Sequence, residues 1–140
     1  MKALSIEPLY AMLFARGERK YEIRTWQRSY RGDLLICSSS KRQPGCISGH
    51  ALGVVELVDI HAVTKSNYEQ FGVTAGQFKS YPHLYAFEFD YPQLVVPFPV
   101  KGKLGLYDVD DSLIDYLDIP TTDADDDALF FKYWKPLIRD

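Results

Sequence analysis

The chain has 140 residues, 46% of them apolar and 25% charged, with two cysteines and a formal net charge of −3 at pH 7. That is the size and balance of one ordinary folded domain, and it argues against a disulfide scaffold, a disordered tail or a low-complexity chain. The net acidity also argues against a nucleic-acid binder held by overall charge alone.

In chain order, the opening "MKALSIEPLYAMLF" is broken by Glu7 and Pro8 and is too short to span a bilayer, so a cytoplasmic, non-membrane protein is expected. Leu9, Met12 and Leu13, with Arg16, recur at helical spacing from Pro8 until Gly17, which predicts one short helix. Lys20, Glu22 and Arg24 then alternate with Tyr21 and Ile23, the period of a half-buried strand, so the three charged side chains are expected on one face.

"DLLICSS" at 33–39 predicts a near-continuous apolar strand, followed by a polar loop over 40–50. "ALGVVELVDIHAVT" at 51–64 predicts a long strand bent near its middle, and residues 67–71 a short helix. "HLYAFEFDY" at 83–91 alternates like a strand, and the prolines of "LVVPFPV" at 94–100 confine that stretch to an edge or to irregular extended chain. A last strand is expected within 101–109. The expected class is α+β: a small, mostly antiparallel β-barrel with a few short helices packed on it, and no parallel βαβ architecture.

Residues 110–140 differ in kind. Thr122 and Asp123 precede an acidic first turn, and Leu129, Phe130, Tyr133 and Trp134 follow at helical spacing before Lys135 and Pro136. This predicts a capped C-terminal helix in an acidic extension that packs on the 1–109 barrel, or that joins two copies as a homodimer.

Charge is divided unevenly along the chain. Residues 1–53 carry nine Lys/Arg against four acids, and residues 54–140 carry seven against fifteen. The basic part is concentrated in "GERKYEIRTWQRSYRGDLLI", residues 17–36. There Arg19, Lys20, Arg24, Arg28 and Arg31 can contact phosphates, and Trp26 and Tyr30 can stack on unpaired bases. Glu22 can accept a hydrogen bond from a base amino group or act as a general base, with Lys20 and Arg24 beside it. Cys37, Cys46, His50, His61 and His83 match no zinc spacing, so neither a metal nor a cofactor is expected.

The first 39 residues resemble the opening of ASCH domains, a branch of the PUA-like superfold. That pattern is a helix, a glycine, Gly-x-Lys-x-x-Glu-x-Arg-x-Trp, then Tyr-Arg-Gly before an apolar strand. Gly17, Glu22, Arg24, Trp26, Tyr30, Arg31 and Gly32 fall on it, and "ALGVVELVDI" and "YAFEFDYPQLVVPFPVKGKLGLYDV" resemble later blocks in the same order. Arg19 departs from it, standing where the family has lysine, with Lys20 one residue later; arginine holds its proton and suits phosphate binding better than base catalysis. The resemblance implies a barrel that binds RNA or a nucleotide-like ligand. It also implies an alternative, a small hydrolase of a modified nucleoside or of single-stranded RNA with Lys20, Glu22 and Arg24 as its catalytic group. The family's amidohydrolase type uses lysine, threonine and glutamate; Arg19 stands in the lysine position and Glu22 in the threonine position.

Overall fold

The computed structural model describes residues 1–138; positions 139 and 140, the end of the acidic extension, lie outside it. Six strands form one mixed sheet: β1 (Lys2–Ile6), β2 (Tyr21–Arg24), β3 (Gly32–Ser38), β4 (His50–Ala62), β5 (Tyr85–Pro99) and β6 (Leu106–Asp108), in the order β2-β5-β4-β3-β1-β6. The sheet curls into a half-barrel whose edges are β2 and β6. All pairings are antiparallel except β1 with β3.

That parallel pair corrects the sequence reading, which assigned no strand before the first helix. "KALSI" is short and flanked by the helix signals at Glu7 and Pro8, yet Ala3, Leu4 and Ile6 are buried and the strand is paired on both sides. Pairing with two neighbours outweighs weak local periodicity.

Helix α1 (Pro8–Ala15) starts at a proline and ends before Gly17, whose φ of +74° suits a residue without a side chain. Its buried face is Ala11, Phe14 and Ala15, whereas Leu9 is exposed and Met12 and Leu13 are half-buried, so the expected face is rotated. The small residues explain this. A Cβ on Gly53 of β4 would lie 3.0 Å from the Ala15 Cβ, so helix and sheet touch through residues with almost no side chain. The main core fills the space between α1 and the sheet with Leu4, Ile6, Leu34, Ile36, Val55, Leu57, Phe87 and Phe89. A second cluster on the opposite face holds Ala3, Leu35, Cys37, Val54, Val95 and Tyr107. Burial on both faces is why β3 reads as an unbroken apolar run.

The long strand β5 is central in its first half, between β2 and β4, and passes beyond the end of β2 in its second. Its prolines fall in that second half, as expected of a strand with one open side. The open side is covered by the tail: Val96 N–H donates to Asp115 O at 2.8 Å and Leu117 N–H to Leu94 O at 3.0 Å. Register shifts in the β4–β5 ladder lie near Tyr91, a non-glycine residue with φ of +52°.

The helix expected at 67–71 is not one. Residues 65–72 form successive turns, and the helix here is α2 (Ala75–Ser80), capped reciprocally by Thr74 and Gln77. The C-terminal helix α3 (Asp123–Leu129) starts as expected, with the Thr122 side chain accepting from Asp125 N–H at 3.1 Å. It then widens into a π turn over Phe130–Trp134. Trp134 is buried in the main core with Arg16 stacked over its ring, while Phe131 stays exposed. None of the described helices is long and apolar enough to cross a membrane.

Candidate functional site

Strand β2 is an edge strand, and alternation along it sends Glu22 and Arg24 to one face. Glu22 pairs across the sheet with Phe87, which is fully buried, so the carboxylate lies at the margin of the main core with only 8% of its surface exposed. Arg24 Nη2 lies 2.9 Å from Glu22 Oε2 and donates a further bond of 2.9 Å to the Ser5 carbonyl of β1. One guanidinium thus ties β2 to β1 across the mouth of the half-barrel. Burial pushes the Glu22 carboxyl above its ordinary range, against the opposing pull of Arg24 and, more weakly, Arg19. A buried acid paired with a guanidinium is both costly and a candidate for chemistry.

Arg19 precedes the strand and folds back on α1, its guanidinium 4.1 Å from the centre of the Tyr10 ring. Its Nε and that of Arg24 are buried and without a hydrogen-bond partner among the described residues. Buried donors left open usually cost stability or await a ligand or water.

The turn after β2 carries the aromatic part. Trp26 packs edge-on against Phe87 with centroids 5.1 Å apart, and Arg28 lies over its outer face at 4.5 Å. Arg31 is committed to holding this turn, donating to the carbonyls of Arg28 and Tyr30 at 2.9 Å each and facing Asp59 at 3.4 Å. The Tyr30 hydroxyl donates to Asp33 O at 2.5 Å and sits over Gly32, whose φ of +122° leaves room for it. Beside the turn, Arg24, Trp26, Gln77, Tyr81 and Leu84 line a hollow of about 340 Å³. A larger hollow of about 730 Å³ lies between the 42–50 loop and residues 136–138, and nothing from the 19–31 segment lines it.

Lys20 does not join Glu22. It is exposed and pairs at 3.6 Å with Glu88 on β5, whose other oxygen meets His61 Nε2 at 2.8 Å. His61 stacks on Phe71, with Tyr21 edge-on to both rings. The sequence reading put Lys20, Glu22 and Arg24 on one face; the Lys20 carbonyl extends the pairing with β5, accepting from Phe89 N–H at 2.9 Å, but its long side chain reaches Glu88, the cross-strand partner of Tyr21, rather than Glu22. Sequence reasoning missed Ser5 and Tyr10 as partners of the two arginines, since both contacts need β1 and α1 in place. Among the described residues no group of three or more His, Cys, Asp and Glu side chains is arranged to hold a metal ion.

Comparison of the chain with solved structures agrees with this fold. Curated proteins give no match. Among solved structures, a Tyr-to-Phe variant of an ASCH protein from Zymomonas mobilis superposes with a TM-score of 0.64 at 15% identity, covering 81% of this chain and 98% of that one. A Ser-to-Ala variant of the same protein gives 0.64 at 15% identity, covering 81% and 96%. The protein without those substitutions gives 0.60 at 14% identity, covering 79% and 88%. At such identities the likeness speaks to the fold. The family model for the ASCH domain matches residues 4–101, which contain the end of β1, all of β2 to β5 and every residue of the Glu22 cluster. The chain therefore belongs to the ASCH domain family.

Proposed function

We propose that this protein binds single-stranded RNA or a nucleotide-sized ligand at the Arg24–Trp26 hollow. The observation that carries the reading is the buried Glu22–Arg24 pair, whose arginine lines a hollow walled by Trp26 and Tyr81. A volume of about 340 Å³ falls within the range of small-ligand sites. Aromatic walls supply stacking surface for a base, Arg24 and Gln77 line the hollow with polar groups, and Arg28 on Trp26 offers a cation for phosphate. The test is titration of labelled single-stranded RNA and of nucleoside monophosphates into wild-type, Arg24→Ala and Trp26→Ala protein. Loss of binding in folded variants supports the reading; unchanged affinity in both removes it.

A second reading is hydrolysis of a modified nucleoside or of RNA with Glu22 as general base. It is favoured by one observation, the burial of Glu22 at the core margin, which pushes its carboxyl above the ordinary range and toward neutral pH. Lys20 has no part in it, being paired with Glu88. Turnover of a modified-nucleoside panel that persists in Glu22→Gln protein would sink this mechanism.

A further inference from the structure

We infer that the loop of residues 101–105, "KGKLG", forms a second wall of the cleft and selects a polynucleotide strand over a free nucleotide, with Lys101 and Lys103 holding phosphates that flank the bound base. The inference rests on the binding reading above and extends it to residues outside the Arg24–Trp26 hollow.

The loop is fastened to the site at both ends. A Cβ on Gly102 would lie 2.7 Å from Ser5 Oγ, so the backbone there presses directly on the serine whose carbonyl receives Arg24. Ser5 Oγ in turn shares a 2.6 Å hydrogen bond with Tyr107 on β6, just past the loop. At the other end Gly105, with φ of +68°, allows Arg28 Nη2 to approach to 3.4 Å of its Cβ position, and Arg28 is the cation stacked on Trp26. Two glycines thus dock the loop on two residues of the site. Between and beside them Lys101, Lys103 and Leu104 face solvent, Leu104 completely.

Charge pairing points the same way. Arg16, Lys20, Arg24, Arg31 and Lys41 each meet an acid within 4 Å. Arg28, Lys101 and Lys103 are, like Arg42, Lys65 and Lys79, among the described cations that meet none, and what sets Arg28 beside this loop is the Gly105 contact. Cations without a protein counter-charge lose least on meeting a phosphate, and several in a row suit a chain of phosphates more than a single one. The family match covers residues 4–101, so most of the loop lies just past it.

The experiment uses the full chain, a fluorescein-labelled single-stranded RNA of about ten nucleotides, and the four nucleoside monophosphates. Affinity is measured across a salt series for wild-type, Lys101→Ala/Lys103→Ala and Trp26→Ala protein, with thermal melts to establish folding. The expected result is that the double lysine variant loses RNA affinity several-fold. Its plot of log affinity against log salt should flatten by about 1.4, two single-strand phosphate contacts, while affinity for the monophosphates, which carry one flanking phosphate, falls less. RNA affinity and salt slope equal to wild type overturn the inference alone, provided Trp26→Ala still weakens binding. No binding of either probe by the wild-type protein overturns this inference and the binding reading together.

Discussion

Arg24 and Glu22 meet at 2.9 Å, and the same Arg24 nitrogen reaches the Ser5 carbonyl on the far side of the half-barrel mouth. The pair is therefore both a site and a strut. Removing the carboxylate leaves a buried guanidinium with one partner fewer, and removing the guanidinium leaves a buried anion, the more costly of the two for a group already displaced by burial. Arg24→Ala should destabilise the fold by about 3–5 kcal/mol, the range for breaking one side of a buried ion pair, and Glu22→Gln by less because the amide keeps a hydrogen bond to Arg24. Urea unfolding of the two variants measures the order.

A pH series separates the Glu22 charge from its shape. The Glu22 carboxyl titrates higher in the folded chain than its ordinary 4.5, chiefly through desolvation. Between the unfolded and folded values the native state holds more protons than the unfolded one, so stability contributed at this site falls as pH rises through that window. Glu22→Gln should abolish this component, making the wild-type minus variant stability decline from pH 4 upward and level off above the folded value. A difference that is flat, or that rises with pH, would contradict the burial account of Glu22.

Gly17 sets the path from α1 to the site. Its φ is +74°, and an added Cβ would lie 2.8 Å from Pro92 Cγ. Gly17→Ala should cost about 1–3 kcal/mol from backbone strain. Because Arg19 follows within two residues, it should also weaken ligand affinity, which thermal melts and binding titrations on the same preparation would show.

Much of this arrangement was legible in the sequence, and the failures have physical reasons. Alternation in "KYEIR" correctly located β2 and the Glu22–Arg24 face, and Pro8 with Gly17 correctly bounded α1, because those signals are local. The Thr122 cap was readable for the same cause. The parallel strand β1, the rotated face of α1 and the pairing of Lys20 with Glu88 were not, since each depends on a neighbour distant in sequence: β3, Gly53 and β5 respectively. The helix expected at 67–71 lost to α2 because the Thr74–Gln77 capping box begins the stable helix later. Arg31, expected as a ligand contact, also donates to the turn it organises, a role that depends on the carbonyls of residues 28 and 30 and on Asp59.

That last assignment yields a contrast between two neighbouring arginines. Arg28 lies over Trp26 and makes no ion pair among the described residues, whereas Arg31 spans the carbonyls of residues 28 and 30 and faces Asp59. Arg28→Ala should reduce RNA affinity and lower the salt slope by about 0.7, one phosphate contact on a single strand. Arg31→Ala should reduce affinity by loosening the turn while leaving the slope near its wild-type value. Equal slopes in all three proteins would place neither arginine on a phosphate.

The tail offers the clearest test of what its aromatic residues are for. Trp134 is 3% exposed within the main core, and Phe131, three residues earlier, is 57% exposed. Trp134→Ala removes a large buried ring and the stacking partner of Arg16, whose ion pair with Asp126 at 2.6 Å also joins α1 to α3. A loss of about 3–5 kcal/mol is expected, the usual cost of truncating a buried tryptophan. Phe131→Ala should stay within about 0.5 kcal/mol, as surface changes do. Denaturant midpoints measured over a range of protein concentrations would check both values and also report on self-association. A Phe131 effect that grows with concentration would reveal an interface between copies, whereas a large concentration-independent effect would mean that Phe131 is packed within its own chain.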